Sequence, residues 1–164
     1  MLARGEIEKL GRGLYRTDSE ATELDTVATV CARAPGAVVC LLTALLMHRI
    51  GSQLPPEVWI ALDRKARKPR FEALPVRVVR FSPTMLRYDI EERRVQGVVV
   101  RITSPARTVV DCFRYRNKIG IDVALEALKE SLRERRTTVD AIVKAARAGR
   151  VSAVMKPYLE AVVA

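Results

Sequence analysis

The apolar pattern of this chain changes character at Ser104, and that switch limits the fold more than any other feature. Ahead of it stand three β-rich runs, "EVWIALD" (57–63), "VRVVRFS" (76–82) and "VQGVVVRIT" (95–103). After it, apolar residues recur at i, i+3, i+4 and i+7, the spacing of one helix face. Val76, Val78 and Arg80 share a phase along the second run, because strand side chains alternate between faces. The segment "LRYDIEERR" before the third run can add an edge strand. The expected class is α/β (α+β): a mixed sheet of about three to five strands, then a C-terminal run of helices.

The helical half carries its own punctuation. Ser104 is an N-cap type, and Pro105 falls at the first helical position, where its missing N–H is not needed. Ala106, Val109, Val110 and Phe113 form a core stripe, and Gly120 breaks the run. Asp122 is placed to cap a next helix that buries Leu125, Leu128 and Leu132. Thr137 and Asp140 resemble a capping box, with Asp in place of the usual Glu. Val139, Ile142, Val143 and Ala146 follow on one face, which Gly149 closes. Val151, Val154, Met155, Tyr158, Leu159 and Val162 make a last stripe, and Pro157 inside it predicts a kink or a restart.

Near the start, Met1–Gly5 reads as a helix end, and "KLGRGLYRT" (9–17) as strand, tight turn and strand. Gly11 and Gly13 flank Arg12 there. Such a hairpin suits the wing of a winged helix, and equally any two-stranded turn. Asp18 and Ser19 are N-cap types, and Leu24, Val27, Ala28 and Cys31 recur at helical spacing before Pro35-Gly36. "AVVCLLTALLMHRI" (37–50) reads as a strand leading into a helix that stops at Gly51. Its apolar stretch of about eleven residues is short of the roughly 20 that span a bilayer. No repeat or low-complexity segment is present.

Charge narrows the partners. Lys and Arg number 29 against 19 Asp and Glu, a net charge of +10 with a pI near 10.1. That balance favours polyanions: nucleic acid, an acidic protein surface or anionic lipid. "RKARKPR" holds Arg64, Lys65, Arg67, Lys68 and Arg70 with no acid among them. Lying between two β-rich runs, it reads as a protruding loop or hairpin tip that binds phosphates, or as a solvated loop that keeps an edge strand soluble. Arg77, Arg80, Arg87, Arg93, Arg94 and Arg101 are spread along the strands, while Arg114, Arg116 and Lys118 cluster beside Tyr115. Tyr115 either stacks on a base or packs with its hydroxyl at the surface.

Reactive chemistry is poorly supplied. Cys31, Cys40 and Cys112 include no C-x-x-C pair, and His48 is the single histidine, so zinc is not expected. Three cysteines and no signal peptide suit a reducing, cytoplasmic setting. Cys112 reads as a small buried residue, and His48 as a hydrogen-bonded structural one. Asp63, Asp89, Glu91, Glu92 and Asp111 can be assembled into a nuclease-like carboxylate set, but "ALDRK" and "DIEER" match such a set poorly. There is no Gly-rich phosphate loop and no nucleophile elbow. The expectation is a non-enzyme without metal or cofactor.

Four stretches carry a resemblance: "GRGLYRTD" (11–18), "GAVVCLLTALLMHRIGSQLPPEVWIALDRKARKPR" (36–70), "SPARTVVDCFRYRNKIGIDVALEALKE" (104–130) and "RVSAVMKPYLEA" (150–161). In this order, over about half of the chain, they resemble the AbiEi antitoxins of type IV toxin–antitoxin systems, an abortive-infection type of phage defence. The resemblance implies an N-terminal winged helix-turn-helix that binds operator DNA, and a C-terminal antitoxin domain. It also implies autorepression and a nucleotidyltransferase-like toxin that is counteracted without a stable complex. On this pattern residues 1–18 are a winged-helix remnant and 19–164 the antitoxin domain. The expected DNA-binding residues are Lys9, Arg12 and Arg16 on the wing, then Arg64, Lys65, Arg67, Lys68, Arg70, Arg114, Arg116 and Lys118. The chain departs from the family pattern at its start, where only the end of a recognition helix precedes the wing. Either the start codon is misplaced or this is a short form that no longer reads an operator. Two other readings stand beside this one: a basic protein-interaction module, and a metal-dependent nuclease.

Overall fold

The computed structural model describes residues 7–10 and 14–164, with side chains from Glu23 onward. β1 (Ile7–Leu10) and β2 (Leu14–Thr17) form the antiparallel hairpin expected from the sequence, with Lys9 opposite Tyr15 and Arg16 opposite Glu8. The Arg12 turn and the helix end read at Met1–Gly5 lie outside the described residues. α1 (Asp18–Arg33) follows directly and stops ahead of Pro35.

The uniformly apolar run divides as a two-residue strand, β3 (Val38–Val39), and α2 (Leu41–His48). The helix ends earlier than Gly51. Arg49 takes the left-handed conformation at φ 57°, and Ile50 N–H bonds back to Leu45 O at 2.9 Å.

Four more strands complete a five-stranded mixed sheet: β4 (Val58–Asp63), β5 (Val76–Phe81), β6 (Ile90–Val95) and β7 (Val98–Thr103). The order is β5-β4-β3-β7-β6. β3 runs antiparallel to β4 and parallel to β7, β4 is parallel to β5, and β6 is antiparallel to β7.

Two expectations change here. Val95–Thr103 is not one strand: Val95 ends β6, and Gln96 and Gly97, at φ 51° and 76°, make the tight turn into β7. Both central residues at positive φ match the twist of a two-residue hairpin. The Arg64–Arg70 segment is not a hairpin tip either. Because β4 and β5 are parallel, residues 64–75 must carry the chain back across the sheet.

Side chains alternate between two buried layers. Val39, Ile60, Leu62, Val100 and Ile102 face α1, meeting Val27, Val30, Cys31 and Ala34. Phe71 of the crossover is buried in the same layer. Val38, Trp59, Ala61, Val79 and Phe81 face the C-terminal helices. These are α3 (Pro105–Arg114), α4 (Arg116–Ile119), α5 (Ile121–Arg133), α6 (Val139–Ala148) and α7 (Ser152–Val163). Val76 and Val78 of β5 share one face, as the alternation requires.

Ser104 caps α3 by accepting from Arg107 N–H at 3.1 Å, with Pro105 in the first turn. The Ala106, Val109, Val110 and Phe113 stripe is buried as expected, but Arg107, Thr108, Asp111 and Cys112 on the other side are buried too. α3 is therefore enclosed all round. Farther on, several expectations shift. Asp122 makes no cap bond; Gly120, at φ 96°, occupies that position. α5 buries Ala124, Ala127, Leu128 and Ser131, leaving Leu125 and Leu132 half-buried. Thr138, not Thr137, caps α6 by accepting from Ala141 N–H. Ile142 and Ala146 are buried, whereas Val139 and Val143 are exposed. Gly149 keeps a right-handed φ of −83°, and Arg150 takes the positive φ at this helix end. α7 runs through Pro157 without a restart. No helix among the described residues is long and apolar enough to cross a membrane.

Candidate nucleic-acid interface

Phe81, the last residue of β5, is the hinge of a basic end. Its carbonyl accepts from Arg64 N–H at 3.2 Å, which ties down the start of the crossover. Its ring lies 6.5 Å from the Tyr115 ring, and Lys118 Nζ stands 5.9 Å over Tyr115. This chain of contacts links the Arg64–Arg70 segment to the Arg114–Lys118 segment at the C-terminal end of β5. Arg87, in the loop after Phe81, is exposed.

The crossover is fastened by a residue the sequence reading left among dispersed arginines. Arg80 Nη1 donates to the Asp63 carbonyl at 2.9 Å and to the Ala66 carbonyl. Asp63 Oδ1 in turn accepts from Lys65 N–H at 2.8 Å. These bonds hold the backbone, so the loop's cationic heads point outward: Arg64, Lys65, Arg67, Lys68 and Arg70 are all exposed. None of the five forms an ion pair with a described residue. Unpaired, closely spaced cations on a held backbone form a surface for phosphate oxygens.

The second cluster is less uniform. Lys118 is exposed, while Arg114 and Arg116 are half-buried and Arg116 Nη1 donates to the Phe113 carbonyl at 2.9 Å. Tyr115 packs rather than presenting a ring to solvent. It joins the core beside Phe81, and burial raises the pKa of its hydroxyl, with Asp111 adding to the rise. Lys9 and Arg16 sit on β1 and β2, a hairpin that packs chiefly against α1.

Beneath the basic end lies a buried ion pair. Arg107 Nε donates to Asp111 Oδ2 at 3.0 Å and to Oδ1 at 3.1 Å, with both side chains fully buried. Arg107 Nη1 also donates to the carbonyls of Met85 and Tyr88, at 2.7 and 2.8 Å. Its guanidinium stacks 4.8 Å from the Phe81 ring, and Nη2 has no hydrogen-bond partner among the described residues. One cation thus fixes α3, the 82–89 loop and Phe81 together. Burial raises the Asp111 pKa and Arg107 opposes that rise. The one signal in the sequence was the i, i+4 spacing of Arg107 and Asp111.

His48 is held as a neutral, structural group. Its Nε2 donates to the Thr103 carbonyl at 2.7 Å, so Nδ1 accepts from Arg93 Nη2 at 2.8 Å. Desolvation lowers its pKa to about 4, and the nearby Arg93 and Arg136 push the same way.

The carboxylates that a nuclease would need are apart and otherwise engaged. Asp63 holds the crossover, Asp89 Oδ2 accepts from the Ser104 hydroxyl at 2.6 Å, and Asp111 serves Arg107. Glu91 and Glu92 point to opposite faces of β6. Among the described residues no three His, Cys, Asp or Glu side chains gather to hold a metal ion. Cys31, Cys40 and Cys112 are all buried free thiols whose pKa burial raises.

Comparison with protein-family models finds no match for this chain, and a search of curated proteins finds no similar sequence.

Proposed function

We propose that this chain is a non-enzymatic antitoxin of the AbiEi type that associates with nucleic acid through the basic end around Phe81. Antitoxicity rests on the sequence resemblance, which implies a nucleotidyltransferase-like toxin as the functional counterpart. Nucleic-acid association rests on one observation: the crossover carries five exposed cations without an ion pair to a described residue, and its start is tied to Phe81, whose ring neighbours Tyr115 and through it Lys118. Such a surface contacts phosphates and carries no base-reading helix of its own, so it favours affinity over sequence discrimination. The wing residues Lys9, Arg12 and Arg16 would add to that contact, and a chain that also represses its own promoter needs them to do so.

A second reading has an observation in its favour. β5 is an edge strand paired on one side only, and it carries Arg77 and Arg80 beside the crossover. An acidic protein segment suits that edge as a partner. The test is rescue from the co-encoded toxin in cells. The intact chain should rescue growth, and the variant with Arg64, Lys65, Arg67 and Lys68 changed to Ala should not. Full rescue by the variant would separate antitoxicity from the basic end, and no rescue by the intact chain would remove the antitoxin reading.

A further inference from the structure

Away from the basic end, α6 and α7 enclose a groove of ≈ 470 Å³ on the outer side of the helical layer. Its walls are Val139, Val143 and Ala146 from α6, and Lys156, Leu159 and Val163 from α7. Val139, Val143 and Val163 are three of the exposed large apolar side chains among the described residues, at 38%, 37% and 55%. They gather here although α7 already has an inward side, where Met155 is buried and Val154, Tyr158 and Val162 are half-buried. Spacings of three and four residues along both walls are those of a helix-packing seam.

The charges on the seam choose the occupant. Lys156 and Glu160 lie one turn apart on the groove side of α7, and Arg147 of α6 lines the other wall; all three are exposed, and none forms an ion pair with a described residue. An antiparallel pairing of two α7 helices, across a two-fold axis on the groove side midway between residues 156 and 160, sets Lys156 of each copy against Glu160 of the other. A parallel pairing sets like charges together. An isologous interface needs this kind of self-complementarity. α7 is about 18 Å long at 1.5 Å per residue, so the paired faces are modest in area and the association should depend on concentration.

We propose that the α6–α7 groove is a homodimer interface, in which a second copy of this chain packs its own α6–α7 hairpin to form a four-helix arrangement. The site is independent of the basic end, and each copy would carry its own basic end into the dimer.

Sedimentation equilibrium on the full chain across a wide concentration range tests this. The expected result is a monomer–dimer equilibrium that Lys156→Glu weakens on the order of tenfold, by setting Glu against Glu twice. Glu160→Lys should weaken it comparably, and the double swap in one chain should restore it, since opposite charges then face each other again. Val143→Asp should also abolish the dimer. All three positions are exposed, so circular dichroism should show the fold unchanged. A monomer at every concentration would overturn the proposal. So would a dimer indifferent to Lys156→Glu and Val143→Asp, or a double swap no better than the single changes.

Discussion

Arg107 and Asp111 face each other one turn apart on α3, 3.0 Å between Nε and Oδ2, with no exposure to solvent on either side chain. Both charges have left water, so each depends on the other. Arg107→Met should cost about 3–5 kcal/mol, because it strands a buried carboxylate and releases the carbonyls of Met85 and Tyr88. The double variant Arg107→Met/Asp111→Leu should recover the part of that loss due to the stranded carboxylate, while the Met85 and Tyr88 carbonyls stay without their donor. Urea unfolding of the three proteins decides it. A single variant within about 1 kcal/mol of the parent would mean that the pair is not holding the 82–89 loop.

Stability should depend on pH through His48. Its folded pKa of about 4 lies below the unfolded value of about 6.5. The unfolded chain therefore takes up the proton first. The stabilisation is complete above pH 6.5 and drains away as pH falls towards 4, by up to about 3 kcal/mol. His48→Gln keeps a donor for the Thr103 carbonyl and does not titrate, so its stability should fall less over that window. Equal slopes for parent and variant, from denaturant midpoints at several pH values, would show that His48 is not the group responsible.

The Gln96-Gly97 turn fixes the register of β6 against β7. Gly97 has φ 76°, and nothing lies within 4 Å of where a Cβ would stand. Gly97→Ala therefore meets backbone strain alone and should cost about 1–2 kcal/mol. A neutral substitution in thermal unfolding would mean the turn relaxes to another type.

The thiols should be silent in the folded chain. Cys31, Cys40 and Cys112 are buried and burial raises the pKa of each, Cys31 to about 11. A thiol-reactive chromophore at neutral pH should label none quickly in buffer and all three in denaturant. A fast-reacting native thiol would show that one of these layers opens.

Elements with local chemistry were legible in the sequence. Ser104-Pro105 announced α3 because a cap and a first-turn proline act within four residues. The second capping site was misplaced by one residue, since Thr137 and Thr138 are chemically alike and only backbone geometry separates them. The β6–β7 turn was hidden because Gln-Gly is a weaker signal than Asn-Gly, and β-branched residues continue on both sides. The parallel pairing of β4 with β5 depends on residues far apart in sequence, so the crossover looked like a hairpin tip. The candidate surface divided in the same way. The crowding of Arg64–Arg70 is visible in one line of sequence, but its approach to Lys118 through Phe81 and Tyr115 is a product of the fold. Arg107 was missed because a charged residue on a helix is ordinarily at the solvent face.

Fluorescence anisotropy on duplex DNA would address the basic end most directly. The parent chain would be titrated into its own upstream DNA and a scrambled duplex at about 50 and 200 mM salt, alongside the Arg64, Lys65, Arg67 and Lys68 to Ala variant. Both duplexes should bind the parent, with affinity falling steeply as salt rises. The variant should bind more weakly and flatten the log–log salt slope by about three to four, roughly one for each lost cation. Absence of binding at the lower salt, or a slope unchanged in the variant, would contradict a phosphate-binding surface around Phe81.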